Sequence, residues 1–548
     1  MASIFWFIVL VGVLIFAHEG GHFLLAKAFR VKVITFSLGF GTPIRIGRWK
    51  FSWTRGETEY RLAWFPIGGF VRMLGDDPTE PIPPEEQARA FSTQKVWKRF
   101  FIIFAGPAFS IALAVPIFFV YHLFDTRAPA PVVGRVIGGS PADKAGLLPG
   151  DRLLALDGRP LQTWENLDEY TQKSRGRPVR LELERGGTKM SVEVTPYPEL
   201  DDTGLEIMGK RWDLGLRHER RGPLVGVISG SAAERAGLRS WDQPVRIAGV
   251  PVEDWEQIRR LIEGLGTAPY TVEALRASAL EAGAVELVLP AVFSTLVFPQ
   301  ADGKELGLEP IDLYVKAVAP GQPAEKNGVQ PGDRLLELDG VRLGDWEQFS
   351  RLLAQAGEKT LRLSVRSGGE LRSFDFSPAT IEQTNEFRQR TTKRGLGVSY
   401  VPNLVAGEYI PRPSRLINAV ARAFFDTGNV IAMNAVGFVR LFQGRVKPSE
   451  AIGGPIMIAD IAAKSAQKGW RYFVQMMAFL SIVLGMLNLL PIPILDGGHI
   501  LFLVIEGLAR RPVPLKVRVA AGYLGLVLLA ALMIFAFSND IMRYWPEF

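Results

Sequence analysis

The chain has 548 residues, more than one compact core accommodates, with 48% hydrophobic residues, 22% charged residues and a net charge of +7. It contains no cysteine, which excludes disulfides, thiol nucleophiles and thiolate metal sites. No dense Lys/Arg block or aromatic-interleaved basic run appears, so nucleic-acid binding has no support.

The first element, residues 1–30, is an apolar stretch long enough to cross a bilayer. It lacks the basic start of a cleaved leader and carries His18, Glu19 and His22 within it, so it reads as a retained span. His18-Glu19-Gly20-Gly21-His22 is an HExxH motif. Residues four apart on a helix share a face. Two imidazoles can therefore hold one Zn2+ ion, with Glu19 beside them to take a proton from water. Ionisable groups inside a span are costly and usually functional, which favours this reading over a chance match.

Residues 31–99 form a loop rich in Lys and Arg near both ends. The second span, 100–124, is interrupted by Gly106-Pro107 and Pro116. Beyond it the sequence repeats, with Ser140, Ser231 and Gln322 in one register, and Asp151, Asp242 and Asp333 in another. Trp164-Glu165 recurs as Trp255-Glu256 and Trp346-Glu347. The repeats run 127–217, 218–308 and 309–400. Each has an N-capped short helix, a strand, a turn and a second helix opened by the Trp-Glu pair. Short strands with two helices at this size resemble PDZ domains of the bacterial protease type. Such modules bind extended peptides or C-termini by strand addition, or serve as bulk that excludes substrates. The middle repeat departs from the pattern, with Ser240-Trp241-Asp242 where its neighbours have Pro-Gly-Asp.

Residues 401–471 form a linker that includes an amphipathic helix over 414–445, expected on the outer surface. The third span is 472–490, followed by the segment 491–499, and the fourth span is 519–537. Basic residues in the 31–99 loop and between spans three and four place both loops in the cytoplasm. The repeats and both termini then lie outside. The predicted fold is a multi-pass α-helical membrane protein of four transmembrane helices with inserted α+β domains. The same orientation brings Asp496, just past the inner end of span three, level with His18 and His22. Asp496 is the expected third ligand, and His499 is a rival ranked below it.

Taken together, HEGGH in the first span, FSLGFG (Phe36–Gly41), FPIGGFVRML (Phe65–Leu74), FAGP before the second span, the repeats and NLLPIPILDGGH resemble the bacterial site-2 proteases. The regulator-of-sigma-E type is the nearest in pattern. The resemblance covers nearly the whole chain. It departs in the repeats, since the best-known members carry two PDZ domains and this chain carries three.

The resemblance implies an intramembrane zinc endopeptidase of the bacterial inner membrane, working near its cytoplasmic side. Its substrates would be single-pass membrane proteins, such as an anti-sigma factor or a signal-peptide remnant after a first cut. Zinc would be held by His18, His22 and Asp496, with Glu19 as general base. Asn488 would hold the substrate backbone or the oxyanion, with Pro491, Pro493, Gly68 and Gly69 near the substrate. Glu59–Leu74 looks like a membrane-associated β-hairpin that pairs with unwound substrate; its plain alternative is an ordinary cytoplasmic hairpin. Two other functions compete: an inactive scaffold displaying PDZ modules, and another membrane zinc protease such as a prenyl-protein protease. Neither calls for the HExxH, the Asp496 run and the repeats together.

Overall fold

A computed structural model describes residues 2–47, 49–77, 80–199, 211–266, 268–276, 291–297, 306–384, 390–444, 448 and 453–544. The chain divides into two compact units, one of residues 1–126, 384–389 and 412–548, the other of 127–383 and 390–411.

The first unit is mostly helical. Its helices are α1 (Ala2–Ala28), α2 (Val96–Leu123), α3 (Arg415–Phe442), α4 (Pro455–Lys468), α5 (Trp470–Asn488), α6 (Asp496–Ala509) and α7 (Leu515–Tyr544). Four are long and apolar enough to cross a bilayer: α1, α2, α5 and α7. Helix α7 leaves Leu524 68% and Ile534 71% exposed, an arrangement that lipid accommodates and water does not. Pro107 and Pro116 were expected to interrupt the second span, but α2 runs through both without a break. Neighbouring helices and local adjustment make such prolines tolerable in spans.

Helix α2 is central and packs against α1, α3, α5 and α6. Small residues allow the close approach. A side chain at Gly21 would overlap the Ala105 carbonyl, and one at Gly485 would lie 2.7 Å from the Pro107 carbonyl. Helix α3 lies along α2, with Ala423 buried in one cluster with Ala114 and Phe118, and with the Asp426 carboxylate 2.7 Å from His122. Its Phe424 and Phe425 are exposed. Elsewhere in the unit, Asp540 of α7 is fully buried. It accepts backbone N–H bonds from Gly454, Ile456 and Met457 at 2.9–3.1 Å, satisfying the free donors at the start of α4. Helix α4 in turn packs on α1, where Leu10, Leu14, Ala462 and Phe473 share a core.

Between α1 and α2 lies a sheet of β1 (Val33–Pro43), β2 (Ser52–Arg55) and β3 (Thr58–Met73). The segment Glu59–Leu74 was expected to fold back on itself as a hairpin. Instead β3 bends, and both of its arms take β1 as partner: Glu59–Leu62 faces Thr35–Leu38, and Gly69–Met73 faces the same strand again. Strand β2 covers the first arm, pairing Ser52–Arg55 with Arg61–Thr58. Among the described residues no strand pairs with the outer side of the second arm.

The second unit holds three hydrophobic cores, each inside one sequence repeat. Each repeat has a short helix, a four-stranded antiparallel sheet and a second helix, the latter at Trp164–Ser174, Trp255–Leu265 and Trp346–Ala356. The strand that closes each repeat pairs back near its start: Leu216–Arg217 with Arg135–Val136, Leu308–Pro310 with Val225–Val227, and Val398–Ser399 with Ala317–Val318. The recurring aspartates are structural. Asp151, Asp242 and Asp333 are buried and accept the N–H of the residue three before them, at 2.8–2.9 Å. The first and third repeats interlock, since Asp345 accepts the Gly138 N–H at 2.9 Å and Glu347 pairs with Arg135 at 2.7 Å.

Candidate metal centre

Helix α1 places His18 and His22 one turn apart, with ring centroids 5.0 Å from each other. Both are nearly buried, at 9% and 8% exposure. Helix α6 begins at Asp496, so its carboxylate enters from the turn that follows α5. The Asp496 oxygens lie 3.1 Å from His18 Nε2 and 3.6 Å from His22 Nε2. Two donors about 2.0–2.1 Å from a tetrahedral zinc would stand about 3.3 Å apart, so this spacing fits the ion. Two imidazoles and a carboxylate, all with donor atoms within 4.8 Å of one another, are also a chemically suitable donor set. Among the described residues this is the one such group, and His499 is not part of it.

The surroundings explain the local sequence. The chain doubles back between α5 and α6, where a side chain at Gly497 would overlap the Leu489 and Leu490 carbonyls and one at Gly498 the Ile492 carbonyl. That is why Asp496 is followed by two glycines. On α2, a side chain at Gly106 would overlap the His22 imidazole itself. Helix α6 is tied to α2 at its far end by Glu506, which pairs with Arg99 at 2.5 Å with both side chains 11% exposed.

Each histidine is also held through its other nitrogen. His22 Nδ1 donates to the Ile102 carbonyl at 2.8 Å, and His18 Nδ1 lies 3.0 Å from the Ser110 hydroxyl. Sequence reasoning missed Ile102 and Ser110. Both lie on α2, and the only available hint was that the FAGPAFS run puts small and polar residues in a span.

Glu19 follows His18 on α1. Its side chain runs beneath β3, where a side chain at Gly69 would lie 3.0 Å from Glu19 Cγ and 2.7 Å from Ile15. Gly69 thus lets the second arm of β3 pass directly over Glu19. Gly68 adjoins it at the bend, against the Phe40 ring. Asn488 ends α5 with its amide nitrogen 3.5 Å from His18 Nε2. Pro491 is exposed and Pro493 half-buried on the connecting turn. The structure therefore gathers His18, Glu19, His22, Asn488, Asp496 and Gly69 into one region.

A family model described as Peptidase family M50 matches residues 6–532. A Neisseria meningitidis protein named "Putative zinc metalloprotease" is 28% identical over 545 residues, covering 99% of each chain. The Escherichia coli K12 regulator of sigma-E protease RseP is 29% identical over 553 residues, 99% of this chain and 100% of that one. RseP of Salmonella typhimurium is 28% identical over 557 residues, again 99% and 100%.

Proposed function

Because the chain belongs to peptidase family M50, and so is a zinc metalloendopeptidase, and has helices long and apolar enough to cross a membrane, we propose that His18, His22 and Asp496 hold its zinc and that Glu19 is its general base. The observation that carries this reading is the convergence of three side chains, two imidazoles and a carboxylate, from two separate helices, with both Nε2 atoms turned toward the carboxylate. Zinc held there supplies a Lewis acid that polarises the scissile carbonyl and activates water near neutral pH. Glu19 takes a proton from the attacking water and passes it to the leaving amine. Asn488 offers an amide donor to the carbonyl oxygen as charge develops on it.

The substrates we infer are single-pass membrane proteins, by analogy with relatives named for sigma-E regulation. An anti-sigma factor or a signal-peptide remnant fits this class. Water cannot reach a peptide bond inside an intact transmembrane helix, so several residues must unwind. Each freed backbone group in lipid costs several kcal/mol unless it finds a partner. The open side of Gly69–Val71 supplies such partners beside Glu19, whereas Tyr60 and Arg61 are already paired on both sides. A proline at Phe70 or Val71, whichever N–H faces away from β1, should slow cleavage at least tenfold while zinc content stays unchanged. Wild-type cleavage rates in both variants would remove the arm from the mechanism.

We further read the three repeats as PDZ-like modules outside the cytoplasm, in the bacterial inner membrane's outer compartment, with the metal centre toward the cytoplasm. The basic loops support this orientation. A reporter active only outside the cytoplasm should work when inserted at the Gly186-Gly187 turn and fail when fused at Arg511. The reverse pattern would invert the assignment.

A further inference from the structure

The two candidate histidine ligands are oriented by different kinds of group. A neutral imidazole that gives Nε2 to a metal carries its proton on Nδ1 and must place it. For His22 that proton goes to the Ile102 carbonyl, which can only accept. For His18 the partner within reach is the Ser110 hydroxyl, at 3.0 Å. Ser110 has 0% exposure, so no bulk water can replace it. Its backbone is fixed in turn, because the Ser481 hydroxyl of α5, equally buried, donates to the Ser110 carbonyl at 2.6 Å. That second bond engages only the Ser110 backbone and leaves its hydroxyl to His18.

We propose that Ser110 is a positioning residue for the zinc site: its hydroxyl accepts the Nδ1 proton of His18 and so turns the Nε2 lone pair toward Asp496. This rests on the reading of His18, His22 and Asp496 as the ligands. The competing explanation is packing alone, since Ser110 also lies where α2 and α5 approach closely and a side chain at Gly485 would lie 3.2 Å from its Cβ. Alanine separates the two, because it keeps the small volume and removes only the hydroxyl.

The test uses the full chain purified in detergent. Zinc affinity is measured by competition with a chelator, and the visible spectrum is recorded after Co2+ replaces zinc. Ser110→Ala should bind zinc about 10- to 100-fold more weakly and show an altered Co2+ spectrum. Ser481→Ala, which deletes a neighbouring buried hydroxyl that does not touch His18, should lower thermal stability but keep zinc affinity within about threefold. Ser110→Thr restores the hydroxyl and should recover most of the affinity. If the threonine variant does not fold, the contrast between the two alanine variants decides alone. Zinc affinity in Ser110→Ala equal to wild type, or equal losses in Ser110→Ala and Ser481→Ala, would overturn the proposal. His22→Ala is the reference for the ligand assignment. Should it bind zinc like wild type, the ligand reading itself fails; should it lose zinc while Ser110→Ala does not, only the role of Ser110 is lost.

Discussion

Glu19→Gln should keep its zinc and lose about 10²- to 10⁴-fold of its cleavage rate. Glutamine has nearly the shape of glutamate and fills the same space beneath Gly69, so α1 and both histidines keep their positions. It contributes no ligand to the His18, His22 and Asp496 group, so metal content stays near one ion per chain. What it cannot do is accept the proton of the attacking water. The check is paired measurement of bound zinc and of cleavage of a membrane substrate. A variant that cleaves at the wild-type rate would sink the assignment of Glu19, and one that loses zinc as well would make Glu19 part of the ligand set. The same variant, still able to bind substrate, is the reagent for capturing unidentified substrates.

Gly106→Ala should lose zinc although residue 106 is neither a ligand nor on the same helix as one. The added methyl would occupy space now filled by the His22 imidazole. The ring must turn or α2 must withdraw, and either breaks the bond from His22 to Ile102. Displacing an orienting group of this kind costs about 10- to 100-fold in metal affinity, and here the ligand itself moves, so the upper end is expected. The control is Gly20→Ala inside HExxH, where nothing lies within 4 Å of the added carbon. That variant should bind and cleave as wild type. If Gly106→Ala holds zinc normally and Gly20→Ala does not, the packing of α2 on α1 differs from that described.

The chemistry was legible because it is written in local spacing. HExxH needs only one helical turn to bring two rings together, and the positive-inside rule put Asp496 at their depth before any contact was known. Other features depend on partners distant in sequence. Ser110 is 92 residues from His18, and Glu506 is 407 residues from Arg99. No local pattern distinguishes those side chains from ordinary small or charged residues. The Glu59–Leu74 segment shows the same limit in a strand. The resemblance suggested a hairpin, yet both arms pair with β1 instead of with each other. The prolines of α2 misled in the opposite direction, because rules learned from helices in water overstate their effect in a span.

The capping of α4 by Asp540 sets an order on biogenesis. Asp540 lies 86 residues downstream of Gly454, on α7, which is synthesised after α4. Until α7 inserts, the first N–H groups of α4 lack this carboxylate partner, and α4 is the element that packs on the N-terminal half of α1. The helix carrying HExxH, made before α7, therefore gains this support only once α7 is in place. A chain that stops short of α7 has His18 and His22 but lacks this buttress of the helix that carries them.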